Sequence, residues 1–183
     1  MDHSELYTRC SDGFAAVLGK VGDRWSDPTP LPGWDVRTLV HHVVTEERWT
    51  PPLLAGATIA EVGTTLDGDL LGDDPHRAAV EAADAALAAV RATPDRFVHL
   101  STGLARSPEY VVQLAADHLV HTWDLAHALG VDATLDPAAV DAVAAWFTLA
   151  EQAYRDAGLV GPRTAPADAT PQSQLLAAFG RTS

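Results

Sequence analysis

Residues 107–130 read SPEYVVQLAADHLVHTWDLAHALG. Serine followed by proline sets an oxygen acceptor at a helix cap and a fixed φ at the first helical position, and the stretch predicts a helix over 108–129. Among residues otherwise suited to burial it carries Asp117, His118, His121, Asp124 and His127, three of the eight histidines of the chain among them. The same punctuation recurs at Asp74-Pro75 and Asp136-Pro137 and predicts helices over 75–92 and 137–157. In GWDVRTLVHHVV, Asp35 can cap a helix over 36–54 whose apolar residues Val36, Leu39, Val40 and Val43 recur at helical spacing. SELYTRCSDGFAAVLGKV makes a first helix over 4–21, with Leu6, Phe14, Val17 and Leu18 inward. Nothing alternates at period two for long enough to make a sheet, so the reading is all-α.

The connections differ. WSDPTPLPG is a stiff proline-rich link, whereas AGATIAEVGTTLDGDLLGDDP is long and reads as an ordered loop crossing the molecule. Asp67, Asp69, Asp73 and Asp74 in that loop raise a calcium reading, but Leu71 and Ala78 stand where an EF-hand needs carboxylates. A solvated loop ending in an N-cap is the better account. The tail after residue 158 is extended, with a short helix over 174–179.

Composition narrows the classes of function. With 47% hydrophobic and 20% charged residues the 183-residue chain reads as one globular domain spanning 1–183. It carries no bilayer-length apolar run and no signal-like start, so a cytoplasmic location is expected. A formal charge of −13 argues against nucleic acid and anionic membrane as partners. The single Cys10 excludes an internal disulfide framework and leaves any metal to histidines and carboxylates.

At about 100° per residue, with Asp117 as zero, His121 falls near about 40° and Asp124 near about −20°, one narrow stripe shared with Leu114, Leu125 and Ala128. His118 and His127 fall on its shoulders, and a helix-surface or dipole role suits both. A carboxylate and an imidazole four residues apart on an inward face need a partner, and a metal ion is one, with the next carboxylate free to hold the histidine's other nitrogen. An ion pair or a capped histidine is the competing account. A third ligand from another helix would decide between them. His41 and His42 are the candidates; periodicity does not choose, and Glu46 lies one turn beyond His42.

Together, PTPLPGWDVRTLVHHVV, LDGDLLGDDP, AADHLVHTWDLAHALG and PADATPQSQLLAAFGR resemble the metal-binding family related to the N-terminal domain of mycothiol-dependent maleylpyruvate isomerase. The resemblance implies a DinB-like four-helix bundle, up-down with a long crossover connection, plus an additional C-terminal helix. It selects His42 over His41 and gives His42, Asp117 and His121 as ligands of a divalent metal, zinc first and nickel second. Asp117 stands where the isomerase has glutamate. It further implies a metal-activated thiol, mycothiol or another small thiol, used by a transferase or isomerase on a small electrophile.

Asp124 then supports His121, Glu46 serves as proton acceptor, and Trp34 and Trp123 flank the ligands as cofactor-pocket walls. The five tryptophans otherwise read as core anchors. Cys10 reads as a core residue, Arg181 as a surface residue, and His3, His76 and His99 as solvated. The isomerase's C-terminal domain, which contributes an arginine, has no counterpart in this sequence, so maleylpyruvate isomerisation itself is not expected. A metal-containing binding or stress-response protein without turnover is the alternative, and an exposed helix face leaves room for a homodimer.

Overall fold

The computed structural model describes residues 1–101 and 103–182. Seven helices appear among them: α1 (His3–Leu18), α2 (Val36–Ala55), α3 (Ile59–Val62), α4 (Pro75–Ala92), α5 (Ser107–Ala128), α6 (Pro137–Asp156) and α7 (Pro171–Ala178). The caps explain most of the starts. The carboxylates of Asp2, Asp35, Asp74 and Asp136 each accept from a backbone N–H in the first turn of the helix they precede.

Ser107 departs from expectation. It is the first residue of α5 rather than its cap, and its hydroxyl accepts from the Arg96 N–H at 3.1 Å instead. The all-α reading also needs a correction, because strands β1 (Phe97–Leu100) and β2 (Gly103–Arg106) form a small antiparallel hairpin with Phe97 opposite Arg106. With four residues in each strand and Val98 the only fully buried position, the pair has too little alternation to stand out in the sequence. In the long loop, Thr58 and Glu61 cap each other reciprocally and form the single turn of α3. The tail helix begins earlier than its apolar residues suggest. Thr170-Pro171 is one more cap followed by proline, and the Thr170 hydroxyl accepts from Ser173 N–H.

Helix α5 organises the packing. It touches α1, α2 and α6, while α4 packs on α1 and α2, and α7 packs on α6. Thr50 of α2 lies 3.4 Å from Tyr110 near the start of α5, and His42 lies 3.4 Å from Asp117 farther along, so the two helices run antiparallel. One apolar cluster gathers Leu53, Tyr110, Leu114, Val143, Phe147 and Leu176; a second gathers Phe14, Val36, Leu39, Val43, Leu125 and Leu129. No helix is long and apolar enough to cross a membrane among the described residues.

His118 is not on the surface. Its side chain is fully buried, with Nε2 2.9 Å from Glu47 Oε1 and Nδ1 2.8 Å from the Leu114 carbonyl, and the edges of Tyr7 and Phe14 enclose the ring. Both ring nitrogens face oxygen atoms, an arrangement that favours an imidazolium paired with a carboxylate. Burial alone would lower its pKa, but Glu47 and the Leu114 carbonyl outweigh burial and raise it. Replacing Glu47 with leucine alone leaves a buried imidazole without its counter-charge, an expected loss of about 3–5 kcal/mol in urea unfolding; adding His118→Leu should recover most of it. A single variant as stable as the wild type would show that the pair is not ionised.

Candidate metal centre

Antiparallel packing of α2 on α5 brings three polar side chains together. His42 Nε2 and His121 Nε2 each stand 3.4 Å from the Asp117 carboxylate. One donor atom from each of the three lies within 4.8 Å of the others, and among the described residues no other group of His, Cys, Asp and Glu does the same. Asp117 Oδ2 is buried and makes no hydrogen bond. His41 points elsewhere, with Nε2 2.9 Å from the Gly68 carbonyl of the long loop, so the choice that periodicity left open falls on His42.

Behind His121 stands a chain of charge-assisted hydrogen bonds. His121 Nδ1 donates to Asp124 Oδ2 at 2.9 Å, which turns Nε2 toward Asp117. Asp124 is fully buried and receives Arg181 on both oxygens, Nε to Oδ1 at 3.1 Å and Nη2 to Oδ2 at 2.6 Å. Arg181 is thus not the surface residue expected from its place in the tail. Helix α7 is held on α6 by the stacked rings of Phe147 and Phe179, 4.0 Å between centroids, and carries Arg181 inward two residues later. The one sequence signal for this was the Thr170-Pro171 cap, which fixes where α7 starts.

The electrostatics follow from these contacts. Burial raises the Asp117 carboxyl, but His121 and then His42 outweigh it and hold it well below the usual carboxylate range. Burial likewise opposes the charged form of His121, while Asp117 and Asp124 overcome it and raise the imidazole to about 9. Glu46 goes the other way: burial, then the neighbouring Asp117 charge, push it up.

A cavity of about 320 Å³ opens on the three donors, and Trp34, Glu46, Gln113, Trp146, Tyr154 and Arg181 are among its walls. Trp34 stacks on His121 with 6.2 Å between centroids and leans on His42 at 5.3 Å. Trp123 does not reach the cavity. Two residues beyond His121 it projects from the opposite side of α5, and its ring lies 4.9 Å from that of His127, which is exposed. Cys10 is buried, and burial pushes its thiol up to about 12, consistent with a core residue.

Residues 7–126 match the family described as mycothiol maleylpyruvate isomerase N-terminal domain. The chain belongs to that family. It is also 32% identical to two uncharacterized proteins of Mycobacterium tuberculosis, one from each of two strains, over 100% of this chain and 99% of theirs. No solved structure matches it. The stretch shared with the mycothiol maleylpyruvate isomerase N-terminal domain family contains His42, Glu46, Asp117, His121 and Asp124, whereas Trp146, Tyr154, Phe179 and Arg181 of the cavity wall lie beyond it.

Two outcomes follow. Since the folded His121 value of about 9 lies above the ordinary 6.5, its pairing stabilises the metal-free protein fully below 6.5, and this contribution is lost as pH rises through about 9. Zinc needs the neutral ring and must displace that proton, so zinc affinity measured against a chromophoric chelator should climb between pH 6.5 and about 9; a flat profile overturns the assignment of His121. Separately, Asp124→Ala should cost about 10–100-fold in zinc affinity at constant pH, with Arg181→Gln moving it less in the same direction. Unchanged affinity in both variants would reduce the relay to a purely structural tie.

Proposed function

We propose that this protein is a divalent-metal-dependent enzyme, a transferase or isomerase that uses a small thiol, mycothiol or a relative of it, against a small electrophile. The reading places it in the cytoplasm with zinc as its metal and its helices in a DinB-like bundle. The observation that carries it is the convergence of His42, Asp117 and His121 in the wall of a cavity, with Asp117 Oδ2 buried and making no hydrogen bond.

The donor set fits such an ion. Ligands about 2.0–2.1 Å from a tetrahedral zinc stand roughly 3.3–3.4 Å apart. Each imidazole already stands 3.4 Å from the Asp117 carboxylate. Two imidazoles and one carboxylate leave coordination positions for an exchangeable ligand, the pattern of catalytic rather than closed structural sites. An ion held there supplies Lewis acidity, which lowers the pKa of a thiol and makes a nucleophile available at neutral pH.

The chain's own residues do the rest. Asp124, fixed by Arg181, keeps the proton of His121 on Nδ1 and leaves Nε2 for coordination. Glu46 faces the same cavity with its pKa raised by burial and by Asp117, which suits it to accept the proton that a thiol loses. Trp34 packs against both imidazoles and restrains the ring planes. Since Cys10 is buried and its thiol is held protonated, the nucleophilic sulfur must come from a cofactor.

Zinc-loaded protein offered mycothiol and a halogenated nitroarene should consume thiol. Glu46→Gln should retain zinc yet lose about 10²–10⁴ of the rate. Thiol that is never consumed, across several thiols and electrophiles and with zinc bound, would sink the enzymatic reading and leave a metal-containing binding protein.

A further inference from the structure

We propose that the cavity selects an uncharged, largely apolar electrophile and turns carboxylates away, a substrate class that rests on the thiol-transfer reading above. The walls supply the first argument. Beyond the three donors much of the surface is made by Trp34, Trp146, Tyr154, Phe179, Leu159 and Val160, aromatic and aliphatic faces suited to a planar apolar body, with Glu46, Gln113 and Arg181 as the polar groups.

Charge supplies the second. Arg181 is the one arginine in the cavity wall among the described residues and no lysine joins it, and three of its five N–H groups already donate: Nε and Nη2 to Asp124, and Nη1 to the Phe179 carbonyl at 2.9 Å. Its positive charge is already balanced by the fully buried Asp124, so a substrate carboxylate there would compete for the counter-charge that Asp124 needs. The other charged lining groups are the carboxylates Glu46 and Asp117 and, in the metal-free protein, the His121 imidazolium, whose two nitrogens already face Asp117 and Asp124. A divalent ion bound by His42, Asp117 and His121 does not reverse the balance, since two carboxylates offset its two charges and a thiolate nucleophile adds a negative one. With the thiolate in place a carboxylate entering this space meets only cations that already have an anionic partner, and like-charge juxtaposition disfavours it. A neutral ring loses nothing on entry and gains the aromatic walls.

Equilibrium dialysis of the full chain against methyl 2-naphthoate and 2-naphthoate, metal-free and loaded with zinc plus a saturating small thiol to fill the open coordination position, tests the idea on two probes of one shape. The ester should bind at least about ten-fold tighter in both states. Because an ester favours any apolar site, two variants carry the decision. Trp146→Ala should weaken the ester several-fold, and Glu46→Gln should narrow the ester-to-acid gap by strengthening the acid while leaving the ester unchanged. An acid that binds as well as the ester, an ester that does not bind, or a gap insensitive to Glu46→Gln overturns the proposal. Loss of thiol consumption with the ester preference intact would instead overturn only the reaction, so the two failures can be told apart.

Discussion

Asp124 is a carboxylate with no exposure to water, on a helix that is buried over most of its surface, and the geometry around it follows from the need to satisfy it. An isolated ionised carboxylate in that position would be prohibitively costly. Two partners meet the need, the imidazole of His121 on its own helix and the guanidinium of Arg181 from the tail. Burial pushes the carboxyl up, and His121 and Arg181 together bring it below its ordinary range. The same ionised group therefore orients a candidate ligand and anchors the last residues of the tail. Neither role can be removed without exposing the other.

That coupling spans the boundary of the family match. Residues 7–126 hold the three donors, Glu46 and Asp124, so the candidate metal centre belongs to the shared part of the chain. Helix α6, the segment after it and the residues that follow α7 lie outside it and supply much of the cavity wall and the arginine. A fold divided in this way can keep one reactive centre while changing what the centre meets, because loops and added elements vary more readily than the side chains that hold an ion. The three hydrogen bonds that Arg181 donates show that the added segment is not a loose cover. It is held by a bidentate charged hydrogen bond and by the stacking of Phe179 on Phe147.

Much of this was legible from local chemistry. Caps followed by proline gave the starts of α4 and α6 to the residue, and Asp35 that of α2, since a cap carboxylate and a preset φ act within one turn. The stripe of Asp117, His121 and Asp124 was also readable, because helical spacing is geometry. What stayed hidden depends on long-range packing. His118 sits only one residue from Asp117, yet its surroundings are set by Glu47, which is 71 positions away, and nothing local tells a buried ion pair from a surface histidine. Arg181 meets Asp124 across 57 positions for the same reason. The hairpin escaped because strands of four residues with few buried positions leave almost no periodic signal.

His118 and His121 make the most instructive comparison. They are three residues apart on α5, both paired with carboxylates and both raised above the ordinary imidazole value. What separates them is which nitrogen is left over. His118 has both nitrogens committed, to Glu47 and to the Leu114 carbonyl, and rings close it off on the core side; it can hold helices together and nothing more. His121 commits only Nδ1 to a close hydrogen bond, and its Nε2 looks past Asp117 into a cavity. An imidazole serves an ion only when one nitrogen is fixed by a partner and the other is left open. On this helix α2 sets that difference, bringing Glu47 against one ring and His42 beside the other within a little more than one turn.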